Sequence, residues 1–308
     1  MNDAPSVGEP EGRQPRVEPP ARAHPRRRRR LILLAILSTP LLYLGFVAAG
    51  LPARSEVRRL ARHRPRETSV MRQRDTEARR AGRTPRRVWR YVPLSAISRH
   101  LVHAVVAAED PNFFGHEGID WGAVRESIEV DIKRRRLVRG GSTITQQLAK
   151  NLFFTTYKSP TRKLRELVVA RWLEEDLSKG RILELYLNVI EWGDGVYGCE
   201  SAARLYYGRP AAALNETEAA GLAAMIPSPR RINPRVNPAR HARAQRRILR
   251  LMKRIKFVKR QVRRFGATPT PTPTPVPTPA ADIGDVEPTE ELFGPPAPED
   301  MAPEGPGE

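Results

Sequence analysis

A chain of 308 residues, 40% apolar and 29% charged, is enough for one sizeable domain with tails. Its single cysteine, Cys199, excludes an internal disulfide framework and gives no metal cluster by itself. Thirty prolines crowd toward the two ends, which excludes a uniform globule, and the net charge of +20 calls for an anionic partner: nucleic acid, anionic lipid or a phosphate-bearing substrate.

Residues 1–30 are rich in Pro, Arg and Glu and read as a disordered basic tail ending in the run Arg26 to Arg30. Leu31 to Leu51 then passes without a charge. At about 1.5 Å per residue such a helix spans roughly 30 Å, the thickness of a hydrocarbon core. Membrane helices accept a proline such as Pro40. The arginines before the span put the N-terminus in the cytoplasm. An uncleaved anchor fits the length better than a signal peptide cut after Ala48 or Gly50, and both export the rest. Residues 52–90 read as a basic juxtamembrane stalk whose charge suits anionic headgroups.

From Pro93 the pattern changes. Ile97, Leu101, Val105 and Ala108 recur at helical spacing up to an acidic pair, and Trp121, Val124, Ile128 and Ile132 repeat the pattern up to the Gly140-Gly141 break. Thr143 with Gln146 three residues on predicts a capping box, and Ile144, Leu148 and Leu152 a buried stripe. Ser159-Pro160 starts a helix that Lys179-Gly180 closes. Further helices are expected at 182–192, 199–207 and 216–226, with a loop over Gly193 to Gly198; Pro227, Pro229, Pro234 and Pro238 mark an irregular segment, and a long basic helix then runs to about Phe265. No alternating strand series appears over 93–265, so the domain, 91–265, is expected to be all-α. From 266 the chain is Thr-Pro-rich, then acidic, and reads as a disordered tail.

Two segments carry candidate chemistry. Glu109 ends an apolar helix beside Asp110, a setting that raises a carboxyl pKa and suits general acid or base work. Termination of a helix at the surface explains the same pair. His116 lacks partners for a zinc set and reads as a loop-bonding histidine, and Ser142 lacks the glycine pattern of a nucleophile elbow. Gln146, Gln147, Lys150 and Asn151 offer donors for a sugar or phosphate, or a solvated helix face. Lys158, Arg162, Lys163 and Arg165 surround Glu166; they suit a pyrophosphate, with a divalent ion bridging it to the carboxylate, or plain surface ion pairing.

Taken in order, Glu109-Asp110-x-x-Phe113-x-x-His116-x-Gly118, Gly140 to Leu152, Arg162-Lys163-x-x-Glu166, Ile182 to Asn188 with Trp192-Gly193-x-Gly195-x-x-Gly198, and Glu218 through Pro227, Pro229 and Pro234 resemble the peptidoglycan glycosyltransferases of family 51. The resemblance covers about 90–250. It implies a lysozyme-like α-helical domain that polymerises lipid II at the outer face of the cytoplasmic membrane. Carried over to this chain, Glu109 is the general base that takes the proton from the acceptor's 4-hydroxyl. Undecaprenyl pyrophosphate then leaves with inversion. Glu166 is the second catalytic residue, with Lys163 and Arg162 by the donor pyrophosphate. Ser142, Gln146, Gln147 and Lys150 line the substrate site, and Asp110 supports Glu109. Lys158 stands where many relatives have Arg, and loses the bidentate fork.

The resemblance admits Mg2+ or Mn2+ beside Glu166 and calls for no organic cofactor. Its partners are lipid II, the growing glycan strand, membrane lipids and cell-division or elongation proteins, with no nucleic acid. A Ser-x-x-Lys or Lys-Thr-Gly motif is missing, which matches the single-anchor, monofunctional form. Two rival readings are a lysozyme-like enzyme that cleaves finished glycan and a non-enzymatic basic membrane protein.

Overall fold

The computed structural model describes residues 25–134, 141–255 and 260–262. The expectations for the remainder of the N-terminal tail, for Gly140 and for the Thr-Pro tail lie outside these residues. A helix, α1, runs from Pro25 to Ala49 and includes the arginine run. It is long and apolar enough to cross a membrane. Leu37, Leu41, Leu42 and Phe46 are exposed on it.

The segment expected as a stalk folds onto the domain instead. It carries α2 (Arg54–Arg59), α3 (Ser69–Arg80) and a short strand β1 (Val88–Trp89). Val57, Leu60, Val70 and Met71 are buried there, and Thr68 caps α3 by accepting from the Met71 N–H. The basic residues that suggested a stalk are the outer face of a packed segment.

Helix α4 (Arg99–Glu109) starts at Ser98, whose hydroxyl accepts from the His100 N–H. Its residues from Leu101 to Ala107 are all buried. Then follow α5 (Trp121–Arg134), α6 (Ile144–Phe153) and α7 (Pro160–Asp176). Ser159 caps α7 and Pro160 takes its first turn, as the sequence predicts. The stop comes early: α7 ends at Asp176, and Ser178 caps a separate helix α8 (Lys179–Val189). Lys179-Gly180 therefore opens a helix rather than closing one.

α8 is the axis of the core. Ile182, Leu183, Leu185, Tyr186, Leu187 and Val189 are all fully buried, so it is apolar on nearly every side. After it the chain forms β2 (Glu191–Gly193) and β3 (Val196–Tyr197), where a helix end and a loop were expected. β3 pairs antiparallel with β2 and parallel with β1, giving a three-stranded sheet of order β1-β3-β2. Strands of two or three residues, wholly buried in β2 and β3 and half-buried in β1, leave no alternation to read in a sequence.

The C-terminal helices close the core. α9 is Cys199–Tyr207 and α10 is Glu216–Met225, which a full capping box of Asn215 and Glu218 begins. α11, Pro238–Arg254, packs on α10 and α4 with Ile248 and Met252 buried and its arginines outward. The domain is all-α with this one minor sheet.

Candidate active site

Glu109 is the last residue of α4, where buried apolar side chains precede it. Its Oε2 accepts a hydrogen bond from Gln147 Nε2 at 2.8 Å. Gln147 is held in turn, because Tyr186 donates its hydroxyl to Gln147 Oε1 at 2.9 Å. That donor fixes which end of the amide faces Glu109. Burial pushes the Glu109 carboxyl above its ordinary range; the Gln147 bond and the charges of Lys150 and Arg247 pull it partly back, and Asp110 adds a smaller upward push. Withdrawal from water dominates, and the neighbouring carboxylate is secondary.

Asp110 works differently. Its carboxylate accepts from the Ile144 N–H at the start of α6 at 3.0 Å and faces His116 Nε2 at 3.0 Å. A carboxylate at a helix N-terminus satisfies an orphan donor and meets the positive end of the dipole. The Gly118 N–H donates to His116 Nδ1 at 3.2 Å, so the ring proton lies on Nε2, toward Asp110. His116 is the loop-bonding residue expected. Gly118 has φ +86°, and a Cβ there would press on the Ala170 carbonyl at 3.1 Å, so only glycine fits the turn. Lys179 ties the same loop down by donating to the His116 carbonyl and to Glu174.

α6 is the wall that joins this carboxylate to a cationic cluster. Thr143 caps it, accepting from the Gln146 N–H, but the Gln146 side chain does not complete the expected box. It is buried, donates to the Gly118 carbonyl at 3.2 Å and accepts from Lys163 Nζ. Lys163 also reaches Ser142 Oγ at 2.9 Å. Neither Gln146 nor Gln147 lies on a solvated helix face. Asn151 is turned inward, donating to the Gln147 carbonyl.

The first turn and a half of α7 supplies the rest. Glu166 is 3% exposed; Arg162 bonds one of its oxygens and Lys163 Nζ lies 3.6 Å from the other. Burial pushes the Glu166 carboxyl up, against the pull of Arg162, Lys163 and Lys150. Burial likewise lowers Lys150 and Lys163, with Glu166 opposing it in both. Lys150 feels the charge of Glu109 as well as that of Glu166. Three cations thus share one carboxylate in a place that water does not fully screen. Cations in the first turn of a helix also oppose its dipole. Both costs fall when an anion is bound.

Two expectations separate from this cluster. Lys158 is exposed in the α6–α7 connection and is not drawn toward Glu166. Arg165 turns away, toward α1, where it donates to the Phe46 and Val47 carbonyls. The surroundings of Glu166 do not by themselves fit Mg2+ or Mn2+, since its oxygens face cations. Among the described residues, ligand atoms close enough to share a cation occur at Asp110, His116 and Asp120, within 4.8 Å of one another. Asp110 is already bonded to Ile144, and Asp120 accepts from Ala123 and Asn112.

Sequence reasoning overlooked Tyr186 and Arg247. Tyr186 sits in an apolar block and gives no sign that its hydroxyl leaves the core. Arg247 is one arginine among many on α11, and only the fold brings its charge to Glu109.

The chain is similar to several proteins named biosynthetic peptidoglycan transglycosylase. One from Methylobacillus flagellatus is 56% identical over 140 residues, 46% of this chain and 61% of that protein. One from Nitrosospira multiformis is 54% identical over 141 residues, again 46% and 61%. One from Herminiimonas arsenicoxydans is 44% identical over 200 residues, 65% of this chain and 84% of that protein. The chain thus spans less than two thirds of the first two relatives. The family model described as transglycosylase matches residues 77–253, from α3 to the end of α11, and the chain belongs to that family.

Proposed function

We propose that the protein is a peptidoglycan glycosyltransferase that polymerises lipid II into glycan strands. The observation that carries the reading is the pairing, across α6, of one carboxylate that accepts from an amide with a part-buried cluster of three cations around a second, buried carboxylate. Glu109 removes the proton from the acceptor's 4-hydroxyl as that oxygen attacks the donor's anomeric carbon. The bond from that carbon to the diphosphate oxygen breaks, and the configuration inverts. Arg162, Lys163 and Lys150 take the charge that grows on undecaprenyl diphosphate as it leaves. One base is enough for inversion, and the raised pKa of Glu109 makes it a better proton acceptor.

Gln147 and Tyr186 hold Glu109 at a fixed angle, and Asp110 fixes the turn that follows it. Glu166 is the counter-charge that keeps the cations gathered when no substrate is bound. Mg2+ or Mn2+ would enter with the diphosphate rather than bind to Glu166 alone. In this reading α1 crosses the cytoplasmic membrane with its arginine run inside and the domain outside, beside a lipid-anchored substrate.

The test is to give the purified full-length protein lipid II in one reaction and finished glycan in another. Polymer and released undecaprenyl diphosphate are expected from the first, and no product from the second. Cleavage of glycan without polymerisation would make it a lytic enzyme and end this reading.

A further inference from the structure

The end of α1 is bolted to the helix that carries the cationic cluster. The carbonyls of the last turn of α1 lack donors from within the helix; the Gly50 N–H reaches that of Val47 at 3.3 Å and the Leu51 N–H that of Ala48 at 3.0 Å, which leaves room for further donors. Arg165 of α7 meets two of them, donating Nε to the Val47 carbonyl at 3.0 Å and Nη2 to the Phe46 carbonyl at 2.5 Å. Its guanidinium also lies over the Phe46 ring, 5.0 Å from the centroid. A cation at a helix C-terminus is favoured by the dipole as well as by these bonds.

Gly50 makes room for this contact. A Cβ there would sit 2.0 Å from Arg165 Cζ, so any side chain displaces the guanidinium. The seam continues in both directions. Tyr43 and Thr161 join hydroxyls at 3.1 Å. Past Gly50, Arg54 donates to Glu175 at 2.6 Å, pairs with Asp176 and lies over Trp172. Thr161, Arg165, Trp172 and Glu175 or Asp176 form one stripe along α7 at helical spacing.

Arg162 and Glu166 lie on the adjacent stripe of the same two turns. Arg165 is three residues beyond Arg162, about 4.5 Å along the axis. The contact that fixes the anchor and the cluster that faces Lys150 therefore share one rigid piece of helix. A slide of α1 against α7 is a slide of the membrane surface against the anion site.

We propose that Arg165 is a positioning residue: docked on the last turn of α1, it holds the Arg162–Lys163–Glu166 cluster at a fixed height beside the membrane for a lipid-linked diphosphate. The proposal rests on the functional reading above, and its test is chosen so that the two fail separately. Arg165→Gln removes the charge and the fork, whereas Arg165→Lys keeps one cationic donor.

Full-length wild type and both variants are reconstituted in phosphatidylethanolamine–phosphatidylglycerol vesicles, with a fluorophore on Thr155→Cys. Thr155 is exposed in the α6–α7 connection and Cys199 is buried, so a single thiol reacts. Quenching by headgroup nitroxide lipids reports the height of the connection above the bilayer. Rates are measured with long-chain lipid II in vesicles and with a short-chain, water-soluble analogue in detergent.

Quenching is expected to change in Arg165→Gln and to recover partly in Arg165→Lys. The vesicle rate of Arg165→Gln is expected to fall on the order of tenfold, the scale of a sub-ångström to ångström misplacement, while the short-chain rate stays within about twofold. Unchanged quenching, an equal loss with both substrates, or no loss with either overturns the proposal. A wild type inactive on both substrates overturns the functional reading instead, and the quenching still decides the docking.

Discussion

Glu109 and Glu166 are both carboxylates withdrawn from water whose charges act on Lys150, and their surroundings make them opposite in kind. Glu109 touches an amide, and the cations that act on it act from a distance. Glu166 touches Arg162 directly and has Lys163 close by. The first is left able to take a proton. The second is engaged as counter-charge. Burial raises both, so burial alone does not tell a base from an ion-pair partner; the nearest atom does.

Substitution breaks this comparison most sharply at Glu109. Glu109→Gln keeps an acceptor for Gln147 but removes the base, and polymerisation is expected to fall about 100- to 10,000-fold. The same variant should be more stable than wild type at neutral pH. Its folded pKa is raised, so the folded state binds the proton more tightly than the unfolded chain. Stability therefore falls as pH climbs from about 4 through the raised value, and the glutamine is spared that loss. Melting curves from pH 4 to 7 check the sign: the advantage of the variant should shrink toward pH 4. A variant less stable at pH 7 contradicts it.

At the other carboxylate the loss should be smaller. Arg162→Ala or Lys163→Ala removes one of three cations, and kcat/KM for lipid II is expected to drop about tenfold to a hundredfold, consistent with one charge-assisted bond. Glu166→Gln should lose less than Glu109→Gln, since it alters how the cations are held rather than who takes the proton. Equal losses at the two positions would erase the distinction. Tyr186→Phe comes next. It leaves the part-buried Gln147 oxygen without its donor, and a stability cost of about 1 kcal/mol is expected with only a few-fold loss of rate. Lys158→Ala should do least, within about twofold, because an exposed lysine outside the cluster contributes little. Steady-state rates on these five variants and on Glu109→Gln order the effects.

The carboxylate at the end of α4 and the amide-bearing helix α6 were legible because short-range rules govern them. A helix end before Asp110, a cap at Thr143 and a cap at Ser159 each rest on neighbouring residues, and the fold has all three. What the sequence left open was direction. Gln146 and Gln147 are adjacent on one helix, yet one faces Lys163 and the other Glu109. Arg165 belongs to the same basic run as Arg162, yet it serves α1. Composition gives the charge, and only packing gives the face. The small sheet was hidden for another reason: β1 is remote in sequence from β2 and β3 and becomes a strand only against β3. The segment of α2 and α3 was masked by its arginines, whose outward face conceals the buried Val57 and Met71.

The pH dependence of kcat with lipid II, compared between wild type and Lys150→Met, tests the central claim most directly. If Glu109 is the base, wild-type activity rises with pH along an acid limb above the ordinary glutamate range near 4.3. Lys150 is one of the charges that holds that carboxyl down, so the Lys150→Met limb should move to still higher pH while the maximum rate falls. An acid limb in the ordinary range that stays in place when Lys150 is replaced would contradict the account.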